Sequence, residues 1–218
     1  LGEGEWADAS FVEGFTHSVA LGEEWRDHPL LFAVPTQTRL YLKWTESKLY
    51  LAFRCERLGS APLIATTPAA ERDVNILRQE AIEIFFLPRP DRQFFFAGNP
   101  AGAIFDGNNK ADDIDQWDRA WDGEWTYRTS INDDAWVGEL SIPFASFGIG
   151  APTEGETWGF AASRYQPGYS RSGLTPVGGT FFERDILGEV CFTSRAAVQV
   201  YYPDVKIRTG VQGGVVNT

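Results

Sequence analysis

Residues 40–55 read Leu-Tyr-Leu-Lys-Trp-Thr-Glu-Ser-Lys-Leu-Tyr-Leu-Ala-Phe-Arg-Cys. Leu40, Leu42 and Trp44 alternate with Tyr41 and Lys43, and past a Thr-Glu-Ser link Leu49, Leu51, Phe53 and Cys55 alternate with Tyr50, Ala52 and Arg54. Side chains along a strand point to opposite faces in turn, so a period of two marks half-buried strands. A polar link this short joins them as a hairpin. The period returns at Ile82, Ile84 and Phe86 (stopped by Pro88), at Phe94 and Phe96, and at Ala103 to Phe105. It continues through Trp125 to Ile131, Trp136 to Ile142, Trp158 to Ala162, Leu187 to Phe192 and Val198 to Tyr202. About nine or ten short strands at near-regular spacing predict an all-β fold, a two-sheet antiparallel β-sandwich of jelly-roll type. One helix is expected, from Pro68 to about Gln79 with Thr67 as its cap. Residues 1–34 read as mostly irregular.

The chain has 218 residues, a length at which sandwiches fold as one unit. A single domain is expected over residues 1–203, with 204–218, Gly-rich at its end, as a tail or the start of a linker. Nineteen basic against thirty acidic residues leave a net charge of -11, which argues against nucleic acid or an anionic membrane surface as partner. No apolar run approaches the roughly 20 residues of a spanning helix. Two His, two Cys and no Met exclude Cys-rich zinc modules and His-rich metal cages. Against that scarcity stand 8 Trp, 7 Tyr and 16 Phe, so ligands with flat apolar faces stay open.

Seven fragments then line up in order. They are Trp6-Ala7-Asp8-Ala9, Lys48 to Phe53, Glu80 to Phe86, Asn99-Pro100-Ala101-Gly102 with Asp106 behind it, Trp136 to Phe144, Gly155 to Phe160, and Leu187 to Val190. Their order and spacing resemble the family 9 carbohydrate-binding module superfamily, over roughly residues 5 to 193. The resemblance implies a two-sheet sandwich that is extracellular, non-catalytic and calcium-stabilised, and often appended to polysaccharide-degrading enzymes. It also implies a sugar end clamped between two Trp side chains. Those clamp positions fall here on Leu77 and Phe181, while an expected Arg falls on Ala97 and an expected Asn on Gly178. The strand carboxylate, Glu83, and the turn amide, Asn99, are kept. Related sandwiches bind haem through Met and Lys, and the absence of Met removes that option.

Residues 105–125 form the most unusual stretch, carrying Asp106, Asn108, Asn109, Asp112, Asp113, Asp115, Asp118 and Asp122 with Trp117, Trp121 and Trp125. Oxygen donors at this density suit a hard cation, so Asp106, Asp112 and Asp113 are candidate calcium ligands. The competing reading is a solvated acidic loop. Trp117 and Trp121 are candidates for stacking on a pyranose, or else plug one end of the sandwich. Glu83 is either a sugar hydrogen-bond acceptor or the partner of a base such as Arg164. Arg164, Tyr165 and Phe181, around a Gly/Pro/Ser-rich loop, complete the candidate binding set with Glu83, Asn99, Trp117 and Trp121. Cys55 and Cys191 read as a disulfide or as two buried thiols. His17 and His28 lack a third ligand and read as structural.

The expectation is a secreted or periplasmic module that binds an oligo- or polysaccharide without chemistry, either as a free domain or beside enzyme domains of a larger polysaccharide-processing protein. Two alternatives stay open: a glycan-active enzyme using carboxylates of the 105–125 loop, and a structural sandwich with no ligand.

Overall fold

The computed structural model describes residues 4–19, 30–59, 62–69, 72–74, 76, 78–110, 117–168, 170–174, 187–193 and 198–201. Within them the chain forms two antiparallel sheets. The smaller contains β1 (Ser10–Val12), β4 (Thr38–Trp44), β5 (Lys48–Glu56), β10 (Thr126–Ile131) and β11 (Ala135–Pro143), in the order β1-β4-β5-β11-β10. The larger contains β2 (Thr16–Val19), β3 (Leu30–Ala33), β6 (Ala81–Arg89), β7 (Arg92–Gly98), β8 (Ile104–Lys110) and β9 (Trp117–Asp118). It also takes β12 (Thr157–Gln166), β13 (Ser170–Gly173), β14 (Gly188–Phe192) and β15 (Val198–Tyr201). Its order is β3-β2-β13-β12-β6-β7-β8-β9, with β14 beside the first half of β12 and β15 beyond it. The all-β sandwich read from the alternation is therefore the fold, and β4 and β5 pair as the 40–55 stretch predicts, with Leu42 opposite Leu51.

The inward faces pack Leu40, Leu42, Leu51 and Phe53 of the small sheet against Ile82, Ile84, Phe86, Phe94 and Phe96 of the large one. A 3-10 turn, Phe144–Phe147, drops two more rings into that layer and ends at Gly148, whose φ of 69° is in the left-handed region. Edge-to-face contacts knit the layer: Phe86 to Phe147 at 5.7 Å, Phe94 to Phe147 at 5.1 Å and Phe147 to Trp158 at 5.3 Å between centroids. Such pairs add about 0.5–1.5 kcal/mol each beyond their buried area. The large sheet also buries its outer face, where Ile76, Phe85, Phe95, Ala97, Ala103, Phe105, Ala161 and Leu187 form a second cluster.

One polar link crosses the first core. Arg164 on β12 donates through Nε to Glu80 Oε1 at 2.7 Å, and Trp136 Nε1 on β11 donates to the same oxygen at 3.0 Å. Arg164 Nη2 reaches the carbonyl of Glu56 at the end of β5, at 2.8 Å. Both charges are almost wholly buried, so each depends on the other for solvation.

Two expectations change and one alternative is decided. The described residues between Thr67 and Gln79 form no helix. Their backbone is drawn into partners on the 99–104 turn instead: Pro68 bridges to Gly102, Arg72 bridges to Ile104, and Asn99 Nδ2 donates to the Thr67 carbonyl at 2.9 Å. Asp73 sits at φ 59°, which a helix cannot contain. Tertiary pairing overrides the local Thr-Pro start signal. Residues 1–34, read as irregular, hold β1, β2 and β3. Of the two readings of the cysteines, free thiols hold: Cys55 is buried, which pushes its thiol up to about 12, and Cys191 is partly exposed.

The buried link has a measurable consequence. Arg164→Met leaves Glu80 as an unpaired buried carboxylate and should cost about 3–5 kcal/mol in urea unfolding. The double variant Glu80→Leu/Arg164→Met should lose less than Arg164→Met alone. A double variant that is worse than the single one would show that packing, not charge, governs this position.

Candidate functional site

The outer face of the large sheet gathers polar groups at one end and aromatic rings in the middle. Glu83 on β6 lies in register with Ser163 of β12 and Ala97 of β7, and only 1% of it is exposed. Its carboxylate accepts from Ser163 Oγ at 2.9 Å and from Arg171 Nη2 at 2.8 Å. Burial pushes the Glu83 carboxyl above the usual range, opposed by Arg171 and then Ser163. Arg171 is brought there by the tight β12–β13 hairpin, which pairs it with Tyr165 and turns at Gly168 with φ 86°. Its guanidinium lies 5.8 Å from the Tyr165 ring centroid, within cation–π range.

Next along this face come Phe85 and Phe95 with centroids 4.8 Å apart, Phe105 at 5.7 Å from Phe95, and Trp117 at 6.0 Å from Phe95. Beyond them Gln93 and Asn109 stand opposite each other in register. Both are buried, and among the described residues neither amide's oxygen or nitrogen has a hydrogen-bond partner. Native proteins rarely leave such groups unsatisfied without water or a ligand to meet them.

Asp106 belongs to a separate constellation on the core-facing side of β8. Its Oδ2 accepts from Trp125 Nε1 at 2.7 Å, Arg72 Nη2 at 2.8 Å and the Gly123 amide at 3.0 Å. Arg72 Nε also donates to Asp122 Oδ1 at 2.7 Å and lies 3.6 Å from Asp73 Oδ2. Desolvation pushes Asp106 up to about 6 although the amide, the indole and Arg72 pull it down. Oxygens of Asp73, Asp106 and Asp122 lie within 4.8 Å of one another.

The structure brings Glu83, Tyr165 and Trp117 onto one face and separates the rest of the sequence-derived set. Trp121 packs on the other side of the sheet, against Phe94 at 5.3 Å and Phe96 at 5.9 Å, so the two tryptophans do not form one platform. Arg164 also points into the core and pairs with Glu80, which corrects the alternative pairing with Glu83. Asn99 directs its amide inward, donating to Thr67 and Gln79 and accepting from the Ala103 amide. His17 meets the Arg171 carbonyl through Nδ1 at 3.1 Å. Phe181, Asp112 and Asp113 lie outside the described residues, as do Leu77, Gly178 and His28. Arg72 and Gln93 are not marked by the sequence, and Asn109 is named there only among the oxygen donors of the 105–125 stretch. The signal for Gln93 and Asn109 was a polar residue in phase with the outer ring positions Phe95 and Phe105.

No family model matches the sequence, and no curated protein matches it. Solved structures do match in fold. One is a protein from Bacteroides uniformis, provisionally described as carbohydrate-binding, at 13% identity over 85% of each chain with a TM-score of 0.61. Two are family 9 carbohydrate-binding modules from Caldicellulosiruptor kristjanssonii. The complex with cellotriose has 13% identity over 86% of this chain and 84% of that one, with a TM-score of 0.56. The complex with glucose has 15% identity over 87% and 90%, with a TM-score of 0.52. The fold of this chain thus resembles that of family 9 modules.

The packing of Trp121 yields a direct expectation. Trp121→Ala opens a gap beside Phe94 and Phe96 and should cost about 3 kcal/mol, read as a lower urea midpoint with unchanged slope. A midpoint equal to the parent's would mean the ring is dispensable to the core.

Proposed function

We propose that this protein binds carbohydrate through the outer face of its large sheet and does not act on it chemically. The observation that carries the reading is Glu83. A carboxylate fixed by Ser163 and Arg171 stands beside Tyr165 and at the head of a row of aromatic rings. A pyranose offers hydroxyls as donors to such a carboxylate and C–H faces to rings, and on this face Tyr165 and Trp117 are the partly exposed rings that could take them. The likeness in fold to modules solved with cellotriose and with glucose supports the same reading.

Among the described carboxylates of the 105–125 loop, Asp106 and Asp122 are both bonded to Arg72. Both are tied down as structural anions, which favours a binder over a hydrolase. Among the described residues no helix is long and apolar enough to cross a membrane. A secreted or periplasmic setting beside polysaccharide-processing domains is the context in which such a module serves.

Calorimetry against soluble glycans, chosen from an array screen, tests this. Glu83→Gln keeps the shape and removes the charge, and should weaken binding at least tenfold, about 1.4 kcal/mol. Tyr165→Ala should weaken it while leaving the fold intact. Binding that is indifferent to both substitutions would place the site elsewhere. Reducing ends accumulating with time would overturn the non-catalytic part.

A further inference from the structure

We infer that Arg72 is a built-in cation, whose guanidinium fills the position among Asp73, Asp106 and Asp122 that a structural calcium ion would otherwise take. These three carboxylates are the group among the described residues whose oxygens converge closely enough to hold a metal. The donor chemistry, hard anionic oxygen, suits calcium. The geometry does not. Asp106 Oδ2, the buried oxygen at the centre, already accepts three hydrogen bonds, from Trp125, Gly123 and Arg72. One oxygen of Asp122 is committed to Arg72 Nε at 2.7 Å, and Asp73 faces the same nitrogen at 3.6 Å. Arg72 Nη2 adds the Gly123 carbonyl at 2.9 Å.

Calcium takes six to eight oxygens at about 2.3–2.6 Å. Oδ1 of Asp106, which has no hydrogen-bond partner among the described residues, is a single acceptor of that kind. An ion drawn to it would lie close to a fixed positive guanidinium in a partly desolvated pocket, where repulsion is little screened. The guanidinium, in contrast, reaches Asp106 through Nη2 and Asp122 through Nε, and stays charged at every accessible pH. It also performs the mechanical task expected of a structural ion. Arg72 and Asp73 come from the strap before β6, Asp106 from β8, and Asp122 and Gly123 from the loop between β9 and β10. One side chain clamps all three segments, covalently attached and beyond the reach of a chelator.

Removing the guanidinium should therefore create a calcium dependence that the parent lacks at this cluster. Melting curves of the full chain are compared in 5 mM EGTA and in 5 mM calcium, for the parent and for Arg72→Gln. Arg72→Gln in EGTA should melt roughly 5–10 °C lower, and calcium should restore several degrees, with the gain abolished in Arg72→Gln/Asp122→Asn. Terbium supplies a second reading, because Trp125 touches Asp106 and would sensitise an ion bound there. Emission excited through tryptophan should rise in Arg72→Gln and fall again in the double variant. An equal response to calcium and terbium in parent and Arg72→Gln would overturn the inference. Should Arg72→Gln fail to fold, Asp122→Asn in the parent decides. An unchanged calcium response supports the built-in cation, and loss of a calcium-induced rise in melting temperature refutes it.

Discussion

Three carboxylates are buried among the described residues, and each is answered by one arginine: Glu80 by Arg164, Glu83 by Arg171 and Asp106 by Arg72. In a chain of net charge -11 these are the anions that water does not solvate. An unpaired carboxylate at such a depth would cost several kcal/mol or take up a proton. The pairing therefore decides which segments must come together. Arg164 brings β12 against the β5 and β11 ends, Arg171 folds the β12–β13 hairpin over Glu83, and Arg72 pulls the strap onto β8. Greasy packing alone would allow the sheets to slide. A charge with one partner does not.

The second constraint is that the large sheet is buried on both sides. Along Ala81 to Phe86 every residue is buried, with Ile82, Ile84 and Phe86 inward and Glu83 and Phe85 outward. β7 repeats this from Gln93 to Gly98. An enclosed face that carries Glu83, Gln93, Asn109 and Ser163 is more polar than a purely structural second core, which gains nothing from two amides without partners among the described residues. Most of the aromatic surplus is absorbed by these two layers, and Tyr165 and Trp117 are the partly exposed rings left beside the polar groups.

How much of this the sequence revealed follows from what each feature depends on. Alternation is local, so the hairpin at 40–55 and most later strands could be read directly, and fold followed from them. Helix start signals are local too, and at Thr67-Pro68 they misled because Asn99 and the 99–104 turn offered the backbone other partners. Charge pairing is non-local. Arg72 lies 34 residues from Asp106 and Arg171 lies 88 from Glu83, and nothing in their neighbourhoods marks them as partners. Trp117 and Trp121 show the same limit. Four residues apart in a loop, they are separated by the thickness of the sheet because β9 ends between them.

The position opposite Glu83 explains how a site can be altered while its scaffold stays. The family resemblance places an arginine at residue 97, and the register puts that residue directly across from Glu83. Here it is Ala97, and the cation reaches Glu83 from the other flank, from β13 through the β12 side. The carboxylate keeps its depth, but its cationic partner comes from the β12 side and not from the β7 side. A ligand approaching Glu83 would meet Ala97 and the Phe95 row where a cation stood. Affinity would then lean more on ring contact and on the amides of Gln93 and Asn109 than on a charged donor. The sandwich tolerates this exchange because both flanking strands are pinned by their inward faces, leaving the outer residues free to change.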